Sequence, residues 1–194
     1  MKESKALLLD TKTANYNMST NRLAITGLMT SITCILGPIC IVVPFSPVPF
    51  SLGLFGILLT TCLLGAKLGT LSCGIYLLLG LVGLPVFSGF TSGVGVLLGP
   101  TGGYLLGYLF VSAFADLFGH KKGSLLLHAA GILCGLLCCY IPGSLWLSHN
   151  TNISFSQALL IGVAPYIFFD IIKLALALWL GRLLRKRLTK AGLL

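Results

Sequence analysis

Long apolar runs alternate with short polar breaks along this chain of 194 residues. Several of the runs approach the about 20 residues that an α-helix needs to cross a hydrocarbon core about 30 Å thick. The pattern therefore predicts an all-α integral membrane protein, a bundle of six transmembrane helices. The predicted helices cover residues 23–43, 50–64, 68–84, 101–118, 125–147 and 158–184.

The composition supports a membrane protein over a water-soluble one. Hydrophobic residues make up 56% of the chain and charged residues only 9%. Ordinary soluble domains carry about 25% charged residues. A water-soluble protein would not cover its surface with so few charges.

The basic residues are segregated to one side of the predicted bundle. Twelve of the thirteen Lys and Arg residues lie before the first run, in the breaks 65–69 and 119–123, or in the segment 182–190. The positive-inside rule then predicts a multi-pass membrane protein with both termini in the cytoplasm. The net charge of +9 thus reports topology and contact with anionic lipid, and we expect no nucleic-acid partner. The connections on the other side contain no Lys or Arg; they are residues 38–49, 85–100 and 148–157.

The chain reads as one membrane domain with two short tails. We predict a cytoplasmic N-terminal tail at 1–22, the six-helix domain at 23–187 and a cytoplasmic C-terminal tail at 188–194. No linker is long enough to divide the domain.

Two connections on the uncharged side have unusual compositions. The segment 40–53, here named the proline loop, has three prolines within six residues, and the segment 80–104, the glycine loop, has eight of the 24 glycines. Both are too apolar for loops exposed to water and too short to span. Irregular backbone at membrane depth must be buried in protein or line a cavity. We therefore expect both loops to fold over the bundle as lids or cavity walls on the extracellular side; apolar surface loops are the alternative.

One opposite-charge pair lies inside the last run, "PYIFFDIIKLALALWLG" (165–181). Asp170 and Lys173 share a helix face, and each costs about 2.5–3.5 kcal/mol at mid-membrane. Buried ion pairs add little stability, whereas ionisable residues at this depth usually mark a substrate or ion path. Asp accepts and Lys donates, so together they suit a ligand with donors beside an acceptor, such as a cyclic urea or amide. The alternative is an ion pair that only orients the helix.

The sequence gives little support for catalysis or metal binding. The chain has no Gly-x-x-x-x-Gly-Lys-Ser/Thr motif, and its three histidines are scattered, so we expect neither ATP hydrolysis nor catalysis. The seven cysteines contain no Cys-x-x-Cys motif, and we predict packing roles and no metal site. Asp116 has a structural explanation in pairing with Lys121 or Lys122. A small membrane enzyme and a channel-like bundle remain as rival classes.

The segment from "PVPFSLGLF" to "LGPTGGYLLGY" (47–108) closely resembles the BioY family, the biotin-specific substrate-binding (S) components of energy-coupling-factor (ECF) vitamin importers. The match continues through "YIPGSLWL" and "GVAPYIFFDIIKLALA". The combination of "GLPVF-G", "LGPTGGY" and Pro-(x4)-Asp-x-x-Lys is specific, whereas a lone Asp-x-x-Lys would not be. The resemblance implies high-affinity biotin binding and uptake, with an S component for another vitamin as the alternative.

The resemblance also implies roles for individual residues. Asp170 and Lys173 match the pair that contacts the ureido ring of biotin, and Thr91 and Ser92 match polar groups of the glycine loop. This chain has Phe-Ser-Leu-Gly at 50–53 where many relatives have Val-Thr-Leu-Gln, so an amide contact is lost there.

The partners implied by the resemblance are a transmembrane T component and two ATPases. Family members meet the T component through Ala-x-x-x-Ala in the first helix, which here is Gly27-x-x-x-Ser31. ATP is used by the partner subunits only, so no cofactor is expected in this chain. The resemblance also implies a place in the bacterial plasma membrane, where the S component is expected to topple and release its ligand inward.

Overall fold

The computed structural model describes residues 20–44, 46–117 and 125–193. The predicted N-terminal tail therefore lies almost entirely outside the described residues, and so do Lys121 and Lys122. The described part is mostly helical. Its α-helices are α1 (Thr20–Leu36), α2 (Gly53–Leu64), α3 (Ala66–Val82), α4 (Val94–Leu98), α5 (Gly102–Ala113), α6 (Leu125–Thr151), α7 (Phe155–Gly162) and α8 (Ala164–Lys190).

The first predicted helix extends too far. The run was predicted to continue to residue 43, but α1 ends at Leu36, just before Gly37 and Pro38. Proline disfavours helical backbone in the residue before it, which ends the helix there. The chain then forms a two-residue hairpin in which β1 (Cys40–Ile41) pairs antiparallel with β2 (Phe50–Ser51). Residues 50 and 51, predicted as helix, are therefore strand.

The sixth predicted helix is broken. α7 and α8 meet at a 44° bend, and Pro165 lies in the first turn of α8. A proline ring clashes with the carbonyl four residues earlier, so a straight helix cannot pass this position. α7 begins earlier than predicted because Ser154 and Gln157 form a capping box at its start. α8 continues to Lys190, beyond the predicted domain end at 187.

The number of membrane crossings stays a prediction. Among the described residues, Leu126–Thr151 is long and apolar enough to cross a membrane, and α7 with α8 passes as a bent pair. That gives one span, or up to two, by length and composition. α2 and α3 are apolar but shorter.

The core forms where glycines let helices approach closely. α5 packs along α6, and α2 packs against α8 and α1. A Cβ at Gly107 would lie 2.5 Å from Cys139 Sγ, and one at Gly135 would lie 2.7 Å from Val111 Cα. Both glycines therefore set the α5–α6 distance, because only a hydrogen fits between the backbones.

Hydrogen bonds hold the two uncharged-side loops together. The Gly89 N–H donates to Pro38 O at 3.0 Å, which joins the glycine loop to the chain just before the proline loop. The Trp146 indole on α6 donates to Gly99 O at 3.0 Å. Both loops are thus fixed against the bundle at one end of the molecule, and this positions the site described below.

Gly135→Ala should destabilise the protein, whereas Gly74→Ala should not. A methyl group at 135 meets backbone atoms of α5, and such overpacking costs about 1–3 kcal/mol. A methyl group at Gly74 on α3 meets nothing within 4 Å, so it should gain about 0.5–1 kcal/mol of helix propensity. Thermal unfolding in detergent measures both variants. Equal melting temperatures for the two would contradict the close α5–α6 packing.

Candidate functional site

Asp170 and Lys173 on α8 both face the protein interior. They are 5% and 7% exposed, and Lys173 Nζ lies 3.1 Å from Asp170 Oδ1. Neighbouring positions on the opposite face of α8, such as Phe168 and Ile171, are exposed. The i, i+3 spacing therefore gives a buried ion pair on the inward side of an otherwise apolar helix.

Two other elements complete the bonding of the pair. The Tyr140 hydroxyl on α6 donates to Asp170 Oδ2 at 2.8 Å. Lys173 Nζ donates to the backbone carbonyl of Ser51 at 2.9 Å and lies 4.0 Å from the centroid of the Phe50 ring. The ion pair thus links α8 to α6 and to the end of the proline loop.

A small cavity lies beside the ion pair. Its volume is about 50 Å³. Its walls are mostly apolar or aromatic, with Asp170 and Lys173 the charged members. The other lining residues come from the proline loop and from α2, α5, α6, α7 and α8, and they are Val48, Pro49, Phe50, Ser51, Leu54, Tyr104, Tyr108, Leu136, Cys139, Tyr140, Gly162 and Tyr166. We name this cavity the charged chamber.

A second, larger cavity adjoins the first. It has a volume of about 290 Å³ and lies between the proline loop, the glycine loop and α5. It shares four lining residues with the charged chamber: Val48, Pro49, Tyr104 and Tyr108. Ser88, Thr91 and Thr101 contribute hydroxyl groups to its wall. We name it the hydroxyl chamber.

The predicted glycine-loop residues lie apart from the ion pair. Thr91 lines the hydroxyl chamber, where its hydroxyl donates to Ser88 O at 3.0 Å. Ser92 lines neither chamber. The fold therefore brings Asp170 and Lys173 together in the charged chamber and places Thr91 in the wall of the adjoining hydroxyl chamber. Ser92 lies outside both chambers.

Gly27 and Ser31 lie on the outer surface of α1, away from both chambers. Both are exposed, and a Cβ at Gly27 would meet nothing within 4 Å. The Ser31 hydroxyl donates to Gly27 O at 3.0 Å, so its polar group is satisfied within the helix. The described chain leaves this small-residue face uncovered.

Several site residues were missed by the sequence reasoning. Tyr140 bonds to Asp170, and the Tyr166 hydroxyl donates to Val48 O in the proline loop. A tyrosine inside a long apolar helix carries a hydroxyl that needs a partner, and this signal was available in the sequence. The contribution of the Ser51 carbonyl has no sequence signal, because every residue carries that group.

Asp116 is unrelated to the site. Its Oδ2 accepts the Ala66 N–H at 2.8 Å, and its Oδ1 lies 3.5 Å from His128 Nδ1. The predicted partners, Lys121 and Lys122, lie outside the described residues. The carboxylate caps the start of α3 at the basic end of the molecule.

These features define an α-helical membrane protein whose interior holds a charged pair beside a small cavity. A family model described as the BioY family matches residues 10–190. The chain belongs to this family, and the resemblance found in its motifs is confirmed.

Relatives and a solved structure agree with this assignment. The chain is 39% identical to the biotin transporter BioY of Thermotoga maritima over 144 residues, 74% of this chain and 85% of the relative. It is 42% identical to the probable biotin transporter BioY of Pyrococcus horikoshii over 135 residues, 70% and 79% of the two chains. A crystal structure of the S-component for biotin from an ECF-type ABC transporter superposes with a TM-score of 0.79 at 33% identity, covering 87% of this chain and 95% of the other. These names describe transport proteins and not enzymes.

Lys173→Met should destabilise the protein more than the double variant Asp170→Asn/Lys173→Met. The single change leaves a buried carboxylate without its cation, which costs about 3–5 kcal/mol. The double change removes both charges, and the amide that replaces the carboxylate can still accept from Tyr140. Thermal unfolding in detergent at neutral pH compares the two with the unmodified protein. A double variant no more stable than Lys173→Met would show that the pair is not coupled.

Proposed function

We propose that this protein is the biotin-binding S component of an ECF-type importer and that it holds the ureido ring of biotin between Asp170 and Lys173. The observation that carries the assignment of the site is the buried pair of opposite charges beside a cavity. Family membership and the names of the relatives support the ligand. The protein binds and delivers its ligand and performs no catalysis.

The bonding capacity of the pair fits a cyclic urea. A carboxylate has about four acceptor positions, and Lys173 and Tyr140 take two of those on Asp170. The remaining positions accept the ureido N–H groups. Lys173 has three N–H donors, of which Ser51 O and Asp170 use two, so the third donates to the ureido carbonyl. Binding a ligand therefore breaks none of the contacts described above.

The walls of the charged chamber suit the rest of the ring system. Leu54, Leu136 and the rings of Phe50 and Tyr108 give apolar surface around the two charges. A fused ring with a thioether needs such surface, because it offers no further strong hydrogen-bonding group. The proline and glycine loops act as the cover of the site on the extracellular side.

The central test measures biotin binding by the purified protein. In Asp170→Asn, an amide NH2 takes the place of a carboxylate oxygen, so a donor faces the ureido N–H donor. Lys173→Met removes the group that donates to the ureido carbonyl. Each should weaken biotin binding at least about 100-fold, since hydrogen bonds to charged groups contribute about 1.5–3 kcal/mol and the mismatch adds to the loss. Titration calorimetry in detergent gives the affinities.

The double variant Asp170→Asn/Lys173→Met is the control for folding in that experiment. It should elute as a monodisperse species and still fail to bind biotin. Undiminished biotin binding by either single variant would contradict the site. Binding of a different vitamin in place of biotin would support the second candidate, an S component of other specificity.

The exposed face of α1 is the proposed contact with the T component. Gly27 has open space above it and Ser31 has its hydroxyl turned back to its own helix, so another helix can approach closely. The T component and two ATPases then supply the energy. In this proposal the chain crosses the membrane six times, with both termini and the basic end of the bundle in the cytoplasm.

Gly27→Leu should block assembly with the T component without affecting biotin binding. A leucine side chain fills the space that a partner helix would occupy, while the chambers lie at the far side of the bundle. Gly74→Leu is the matched control, because Gly74 also has nothing within 4 Å. Co-purification of a tagged T component measures assembly. Equal recovery of the complex with both variants would rule out this face of α1.

A further inference from the structure

The two chambers lie side by side and differ in the chemistry of their walls. Val48, Pro49, Tyr104 and Tyr108 line both of them, so a ligand anchored at Asp170 reaches the hydroxyl chamber by passing between these residues. The charged chamber, at about 50 Å³, is too small for a whole vitamin, because small-molecule sites usually measure about 300–1,000 Å³. The hydroxyl chamber adds about 290 Å³ and brings the total into that range.

We propose that the hydroxyl chamber takes the acyl chain of the ligand without requiring a free carboxylate, so that the protein also binds biotin derivatives whose acid is capped as an amide or ester. This inference rests on the proposed function. It concerns the substrate class: cyclic ureas that bear either a free or a capped acyl chain.

The hydroxyl chamber has no cation to pair with a carboxylate. None of its lining residues is Lys, Arg or His. The sequence explains this, since neither loop segment, 38–49 nor 85–100, contains a Lys, Arg or His residue. Its side-chain polar groups are hydroxyls, which donate to the carbonyl oxygens of acids, amides and esters alike and accept from the N–H of an amide; they belong to Ser88, Thr91, Thr101, Tyr104 and Tyr108.

The positive field of a helix terminus reaches this chamber but is weak. α5 begins at Gly102, directly after Thr101, which lines the chamber, and the Gly102 N–H already donates to Gly99 O at 3.0 Å. A helix terminus on a protein surface favours an anion by less than about tenfold in affinity. That is too little to make a free carboxylate a requirement or to reject a neutral amide.

The far wall of the hydroxyl chamber lies at the surface. Pro47, Thr91 and Gly95 line it and are exposed at the end of the molecule opposite the basic end. A substituent beyond the acyl carbon can therefore extend outward between the proline and glycine loops. Two of these three residues, Thr91 and Gly95, have small side chains, which favours entry of a capped acid.

The test compares four ligands on the purified full chain by titration calorimetry: biotin, biotinamide, biotin methyl ester and 2-iminobiotin. Biotinamide and the methyl ester should bind within about tenfold of biotin. 2-Iminobiotin replaces the ureido carbonyl by a group that presents N–H to Lys173, and it should bind at least about 100-fold more weakly. A loss of about 100-fold or more for both capped ligands, with biotin binding intact, would overturn the inference. Absence of biotin binding would instead refute the proposed function.

A second experiment locates the acyl chain. Gly95→Phe places a ring at the wall of the hydroxyl chamber, where a Cβ meets nothing within 4 Å, and Gly74→Phe places the same ring on the outer face of α3. Gly95→Phe should weaken biotin and biotinamide at least tenfold and to the same extent, while Gly74→Phe changes neither. Full affinity of the Gly95→Phe variant for both ligands would show that the acyl chain lies elsewhere and would overturn the proposal.

Discussion

A carboxylate and an ammonium group 3.1 Å apart inside an apolar bundle are the constraint on which the rest of the structure depends. Removing either charge from water alone is expensive, and their mutual attraction repays the cost only when the remaining hydrogen-bonding positions are also satisfied. Here one further position on each group is filled, on Asp170 by the Tyr140 hydroxyl of α6 and on Lys173 by the Ser51 carbonyl of the proline loop. The pair therefore fixes the rotation of α8 and the place of two other elements at once.

The proline loop is the element most affected by this constraint. It has irregular backbone and no charged side chain, so its carbonyls need donors from the bundle. α8 supplies two of them, since Tyr166 donates to Val48 O and Lys173 donates to Ser51 O. The Phe50 ring packs edge-on against Phe169 at 4.9 Å between centroids. One helix thus holds both the charged pair and the loop bonded to it.

The sequence predicted the helical class, the family and the inward orientation of Asp170 and Lys173. Each of these follows from single segments: the apolar runs, the motifs, and the energetic cost of a charge inside an apolar helix. The predicted ends of two helices were wrong, because Pro38 and Pro165 interrupt the helical backbone inside runs that are apolar throughout. The short helix α4 was missed inside the glycine loop. The partners of the ion pair could not be read from spacing, since Tyr140 lies 30 residues from Asp170 and the Ser51 contact uses backbone. Such contacts depend on how helices pack, which the local pattern does not encode.

In the proposed function, the distribution of polarity over the two chambers assigns ligand specificity to the charged chamber. At one end the donors and acceptors are charged, buried and held by three elements, so a ligand with the wrong pattern leaves a charge unpaired at a cost of about 1–3 kcal/mol or more. At the other end the groups are hydroxyls, which can reverse their role as donor or acceptor, and the wall reaches the surface. Because Lys173 keeps one N–H beyond those given to Asp170 and Ser51, a ligand can gain its strongest contact while the proline loop remains bonded over it. In this proposal, the Lys173 ammonium group can therefore bind the ring and hold the proline loop at the same time, since it has a separate N–H for each.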